Sequence, residues 1–374
     1  MKKILLTVAC LTAVSLLCAV GWTTKRLTNN SGASAYPAVA ASGANIYAVW
    51  SDDTPGNNEI YFRKSIDEGA TWQAAKRLSY SPSYNENPAI AVSGSNVYVV
   101  WKDTPEEDNQ EIYFRRSLDS GATWQNAKRL TNNAGSSLWP RIALDGADVY
   151  VVWYDDTPGN CDIYFLRSAD HGATWQAAKK LTNNAGNSTK PFLLVNGSNL
   201  QVVWSDDTPG NYEIYRRQST DGGATWQTAK RMTNNTGNTR NPMLAASGAS
   251  IYLVWEDDTP GNTEVYFRRS TDNGATWQSP KRLTNNTGTS CYIRIAASGA
   301  DVFVVWQDDT PGNMDVHYLN STDSGTTWGS AYNMTNNAAY SATPFVALND
   351  TKLFVFYSDN TPGNAEIYLK YLPN

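Results

Sequence analysis

The chain has 374 residues, of which 41% are hydrophobic, 17% charged and 12% aromatic, with a formal net charge of −5. A mildly acidic balance provides no electrostatic footprint for nucleic acid or for an anionic membrane surface. The aromatic content and the lack of long helix-forming runs point to an all-β protein, with ample length for a large core.

The chain begins Met1-Lys2-Lys3 and then runs apolar from Ile4 to Val20, with small residues at Ala19-Val20-Gly21. A positive start, a short apolar run and a small-residue cleavage site predict a cleaved secretory signal over residues 1–21 rather than a membrane span. Cys18 follows Leu17, which argues against a lipoprotein signal. The mature chain is therefore expected to be extracellular or periplasmic, and its formal charge moves from −5 to −7 with the loss of two lysines. Cys161 and Cys291 remain, three repeats apart, so no disulfide is expected.

From residue 22 onward the chain is periodic. Ser65-Ile66-Asp67-Glu68-Gly69-Ala70-Thr71-Trp72 returns in copies ending at Trp124, Trp175, Trp226, Trp277 and Trp328, spaced by 52, 51, 51, 51 and 51 residues. A period near 50 marks an array of one structural unit. Each unit carries four apolar runs, A to D, seen in the third unit as Trp139–Leu144, Asp148–Trp153, Asp162–Ser168 and Trp175–Leu181. Strand B is apolar almost without alternation, as suits a strand covered on both faces. Strand D carries pairs such as Lys76-Arg77 and Lys128-Arg129, which suit an exposed edge. Radially repeated four-stranded units of this kind describe a β-propeller.

Strand B occurs seven times, ending at Trp50, Trp101, Trp153, Trp204, Trp255, Trp306 and Tyr357. Strand D lacks its last copy after Glu366–Leu372, whereas Trp22-Thr-Thr-Lys-Arg-Leu-Thr-Asn-Asn30 at the front matches the stretch beginning at Trp226. Residues 22–374 are thus predicted to be a single seven-bladed propeller whose amino-terminal strand completes the carboxyl-terminal blade. This arrangement accounts for thirteen of the fourteen tryptophans and leaves Trp139 as the odd one.

The Ser-x-Asp-x-Gly-x-Thr-Trp stretch resembles the Asp box of sialidases and other bacterial-neuraminidase-repeat propellers, and the resemblance extends over residues 22–374. It implies a structural role for Asp67, Asp119, Asp170, Asp221, Asp272 and Asp323 on the face away from any substrate. The residues themselves agree, since Asp can accept from its own turn's N–H groups and Gly supplies positive φ. Between strands B and C runs a second repeated element, Asp52-Asp-Thr-Pro-Gly-Asn57, read as a type II Thr-Pro-Gly-Asn turn. Its Asp pair could offer oxygens to Ca²⁺, but no loop has EF-hand spacing and turn capping explains the pair equally well, so no cofactor is expected. The second blade departs with Asp103-Thr-Pro-Glu-Glu-Asp-Asn109, which should look different from its sisters.

Function should sit where the blades differ. Aligned on Pro37, Pro88, Pro140, Pro191, Pro242, Ile293 and Pro344, strand A varies most beside that position, around one mouth of the central channel. The varied residues there include Tyr84, Glu86, Trp139, Arg141, Lys190, Arg240, Tyr292 and Arg294. Cationic forks beside aromatics make a candidate anionic-glycan pocket, with simple drift as the competing explanation. The resemblance implies one sharper alternative, an exo-α-sialidase-type hydrolase with Arg141, Arg240 and Arg294 gripping a carboxylate and Tyr292 or Tyr84 paired with Glu86. Against it, Ala35-Tyr36-Pro37-Ala38 stands where that family carries Phe/Tyr-Arg-Ile-Pro, and no blade has a singular Asp at the mouth. The two histidines, His171 and His317, lie in different elements and support neither zinc nor a nucleophile–His pair. The expectation is a monomeric, non-catalytic propeller that binds a glycan or an extracellular protein at the mouth.

Overall fold

The computed structural model describes residues 21–371 except Glu107, Asp108, Pro158, Pro311, Asp350 and Thr351. Residues 1–20 of the expected signal lie outside the described residues. The rest form 28 strands in seven four-stranded antiparallel sheets, each ordered A-B-C-D. In the first blade these are Ser34–Ser42, Asn45–Asp52, Glu59–Ser65 and Lys76–Arg77. The last blade has Ser341–Leu348, Leu353–Asp359 and Glu366–Tyr371, and its fourth strand is Thr23–Arg26, paired from Thr23↔Tyr371 to Arg26↔Tyr368. The ring therefore closes through the amino-terminal strand, as the repeat arithmetic requires. Among the described residues no helix is long and apolar enough to cross a membrane.

The core lies between blades. Facing residues of neighbouring sheets form each cluster, as Val49 and Phe62 of the first blade do with Val99 and Trp101 of the second. The strand B tryptophans are at most 2% exposed, so burying each removes about 200 Å² from water, a gross gain of about 5 kcal/mol. The motif tryptophans staple each blade to the one before. Trp124 meets Phe62 edge-on at 5.0 Å and Trp175 meets Phe114 at 5.1 Å. Trp22 meets Tyr318 in the same way at 5.8 Å, which makes it the motif's seventh tryptophan in space as well as in sequence. The exception is Trp277, which faces the Arg216 guanidinium at 5.6 Å because the fourth blade replaces the stacked Tyr–Phe pair with Gln201 and Arg216.

The Asp-box turns satisfy themselves. Asp67 accepts from the Thr71 hydroxyl at 2.6 Å, the Thr71 N–H at 2.7 Å and the Ser65 hydroxyl at 2.8 Å. These bonds, the Thr71 hydroxyl first, hold the carboxyl at about 2. Glycine is obligatory in these turns: Gly121 has φ +82 and a Cβ there would sit 2.5 Å from the Phe62 ring.

Two sequence readings need refinement. The strand D cations do more than guard an edge. Arg231 reaches Glu213 at 2.7 Å and Arg129 reaches Glu111 at 2.6 Å, both glutamates being fully buried, and Lys76 donates to the Gly121 carbonyl of the next blade at 2.9 Å. The B–C turn closes one residue earlier than a Thr-Pro-Gly-Asn reading predicts. Gly56 N–H donates to the Asp53 carbonyl at 2.9 Å, so Pro55 is third and Gly56 fourth, with φ +102. The cause is Asp52, whose Oδ1 takes the Thr54 N–H at 3.0 Å and starts the turn early. Its Oδ2 accepts from Ser34, Asn30 and the Trp50 indole at 2.7, 2.8 and 3.0 Å. That carboxylate is spent on N–H and O–H donors, and no group of three or more metal-ligating side chains occurs among the described residues. The second blade does differ. Its strands B and C lengthen to Asn96–Glu106 and Asn109–Ser117 and pair as far as Glu106↔Asn109.

Candidate functional site

A β-bulge in strand A builds the channel mouth. In the third blade Leu138 pairs with Tyr154 and Arg141 with Val152, which leaves Trp139 and Pro140 opposite the single residue Trp153. The proline costs no ladder bond at such a position. The residue before it is left-handed in every blade: Tyr36, Asn87, Trp139, Lys190, Asn241, Tyr292 and Thr343 have φ between 49 and 58. A left-handed backbone is unfavourable for aromatic residues and more so for a β-branched one. The same seven positions are where the blades stop agreeing in sequence. Backbone strain, chemical diversity and the channel mouth thus coincide in one ring.

A second variable ring faces the first. The strand B residue between Trp and Asp is Ser51, Lys102, Tyr154, Ser205, Glu256, Gln307 or Ser358, each paired across the sheet with the residue two before the proline position. Three of these side chains tie neighbouring blades: Glu256 accepts from Tyr292 N–H at 2.7 Å, Gln307 accepts from Thr343 N–H at 2.9 Å, and the Ser51 hydroxyl donates to the Asn85 carbonyl at 2.7 Å. The sequence reading missed this ring. Its signal was present as the varying column inside Trp-x-Asp, a triplet that holds in six blades and becomes Tyr-x-Asp in the seventh.

Two cavities open at the mouth. The narrow one, in the channel neck, is lined by Trp139, Arg141, Tyr292 and Arg294 together with Tyr36, Asn87, Thr343 and Phe345, and leaves about 40 Å³ free. That is room for one or two waters, not a sugar. Arg141 and Arg294 each turn a guanidinium N–H to a backbone carbonyl, at 2.9 and 2.8 Å, and neither has a salt bridge among the described residues. Burial pushes Arg141 down to about 9, with Arg294 adding to the shift, and burial brings Arg294 to about 10. Both stay cationic at neutral pH. The wider cavity, about 370 Å³, is a groove between the sixth, seventh and first blades. Tyr36, Tyr292 and Tyr340 line it, 40%, 38% and 50% exposed, with Gln307, Asn360 and Asn364 supplying amides. Burial raises the Tyr292 phenol, and the nearby Tyr36 and Tyr340 hydroxyls add to the shift.

The remaining predicted residues divide. Lys190 lies over the Trp139 ring at 5.6 Å, and burial lowers its pKa against the opposing pull of Glu256. Arg240 instead stacks on Tyr212 at 4.7 Å and lines neither cavity, so three arginines do not converge as the carboxylate-grip alternative requires. Glu86 is bound by Lys102 and Asn58 at 3.0 and 3.1 Å, which leaves it unpaired with either tyrosine. Tyr84 is 61% exposed on the rim. The carboxylate near Tyr292 is Glu256, 7% exposed and raised by burial against bonds from Asn241 and Tyr292 N–H. Among the described residues lining the two cavities, Asp359 is the sole carboxylate. Burial pushes it up, but bonds from Ser341, Thr361 and Asn337 outweigh that and keep it ionised.

A family model for a BNR repeat-like domain matches residues 201–369. The xyloglucanase Xgh74A of Acetivibrio thermocellus is 25% identical over 248 residues, which covers 57% of this chain and 28% of the xyloglucanase. A sialidase of Bacteroides fragilis is 22% identical over 286 residues, 63% of this chain and 52% of the sialidase. The chain thus spans about half of that sialidase's length and less than a third of the xyloglucanase's. Among solved structures, a PL25 ulvan lyase superposes with a TM-score of 0.65 over 92% of this chain and 95% of the lyase, at 10% identity, a likeness of fold.

Proposed function

We propose that the chain is a sialidase-like β-propeller that binds a glycan and holds it at the channel mouth without cleaving it. The observation that carries this reading is the groove of Tyr36, Tyr292 and Tyr340. A cavity of about 370 Å³ with aromatic faces and convergent amides has the size and chemistry of a sugar site. The similarity to a xyloglucanase and a sialidase supports glycan as the ligand class. Hydrolysis needs a protonated acid placed beside the scissile bond. Asp359, ionised and held by its own donors, cannot supply that proton, and Glu256 lines neither cavity. We further propose that residues 1–21 are cleaved, that residues 22–374 act as one propeller, and that it works as a monomer outside the cytoplasm.

The test is a glycan array that includes xyloglucan, ulvan and sialyl oligosaccharides. Binding is expected for the parent and lost in a Tyr292→Ala/Tyr340→Ala variant. Release of fluorophore from a sialyl glycoside, abolished by Arg141→Ala and Arg294→Ala, would overturn the non-catalytic reading.

A further inference from the structure

The mouth face carries a pattern larger than the groove. Two positions in each blade present side chains there: the residue just before strand A, and the left-handed bulge residue three positions later. Taken in ring order, the sixth blade places Tyr292 at the bulge, the seventh Tyr340 before the strand, the first Tyr36 at the bulge, the second Tyr84 before the strand and the third Trp139 at the bulge. Five consecutive blades thus contribute one aromatic each, never two and never none. The fourth and fifth blades break the series with Asn187 and Lys190, then Asn238 and Asn241. Four of the five aromatics are 38–61% exposed, although none is needed by the core between blades. Three are held out by left-handed backbone, a conformation that disfavours large side chains and that glycine would adopt without penalty.

Resting on the glycan reading above, we infer that the ligand is a linear oligosaccharide segment laid along this five-blade arc, not a single terminal sugar seated in the channel. Successive aromatics, one per blade, offer successive stacking platforms to a chain of pyranose rings, and each adds area without demanding a deep pocket. The neck below the arc has about 40 Å³ free, so a chain end cannot be swallowed and the ligand must pass across the mouth. Asn360 and Asn364 lie in the groove beside the tyrosines. Asn364 Nδ2 donates to the Asn30 carbonyl at 3.3 Å and Asn360 Oδ1 accepts from the Tyr340 N–H at 2.7 Å, which leaves Asn360 Nδ2 to bond a sugar hydroxyl in mid-chain. The Lys190 ammonium over Trp139 closes the far end of the arc, where the blades turn from aromatic to polar residues.

The experiment is titration calorimetry with oligosaccharides of two, four and six sugars from the xyloglucan, ulvan and sialyl series, against the parent and two single variants. In the series that binds, affinity is expected to rise about ten-fold from two to six sugars. Tyr84→Ala, on the rim away from the groove, should weaken the six-sugar ligand several-fold and leave the two-sugar ligand unchanged, while Tyr292→Ala should weaken both. Equal affinity at all lengths, or a Tyr84→Ala variant that binds six sugars normally, would overturn the arc and leave the groove as a single-sugar site. Failure of every series to bind would overturn the arc and the glycan reading together. Unchanged melting temperatures of both variants exclude misfolding as the cause of any loss.

Discussion

The two faces of the ring were built from the same repeats and have diverged in opposite ways. On the Asp-box face the blades are near copies, and the Ser, Asp and Thr side chains of the motif are bonded to one another within it. Asp221 takes the Thr225 hydroxyl at 2.5 Å and the Ser219 hydroxyl at 2.7 Å, just as Asp67 does in its own turn. On the mouth face the backbone repeats but the side chains do not, and among the described residues Arg141 and Arg294 turn to backbone carbonyls and form no salt bridge. Repetition marks what the scaffold needs in each blade, and differentiation marks what only some blades must do. The most acidic and most frequent motif in the chain is therefore the one with no chemistry to spare.

That contrast can be broken from the scaffold side first. Trp306→Ala removes a side chain that is 1% exposed and deletes its indole bond to Asp308, and should cost about 3–5 kcal/mol in urea unfolding. Next, Arg231→Ala strands fully buried Glu213 without its counterion and should cost about 2–4 kcal/mol, more than an exposed ion pair is worth. From the mouth side the sign should reverse. Thr343→Gly relieves a β-branched residue at φ 49 and should stabilise the protein by about 1 kcal/mol, although it gives up the contact with the Ser358 hydroxyl at 3.0 Å. Destabilisation there would mean that the bulge is not strained. The smallest effect per residue is electrostatic. Asp67, Asp119, Asp221, Asp272 and Asp323 are held at about 2, below the ordinary 3.8. Because the folded state lowers these values, the stability they contribute is complete above about pH 4 and is lost as the pH falls through 2. The urea midpoint should decline over that range, and an Asp221→Asn variant should decline less.

The fold was legible because its signals are periodic. Blade number, strand order and the closing strand at Thr23–Arg26 follow from where the tryptophans fall and which run is missing at the end. The site was legible only in part. Variation beside the strand A prolines led to Trp139, Arg141, Tyr292 and Arg294, which do share a cavity. It could not show that Arg240 prefers the Tyr212 ring, because the partner lies in the previous blade and no local pattern couples them. Nor did it find Glu256 and Gln307, whose column varies inside a strand that otherwise reads as pure core. Left-handed backbone at a residue such as Thr343 has no sequence signature, since propensity argues against it and the surrounding bulge imposes it.

The account stands or falls on which face holds the ligand. The most direct measurement is the dissociation constant of the strongest array glycan for the parent, a Tyr36→Ala/Tyr292→Ala variant and an Asp221→Ala variant. The account predicts at least a ten-fold loss of affinity for the tyrosine variant and parental affinity for the Asp-box variant, while the melting temperature falls only in the latter. Parental affinity in the tyrosine variant, with binding lost on changing Asp221, would contradict it.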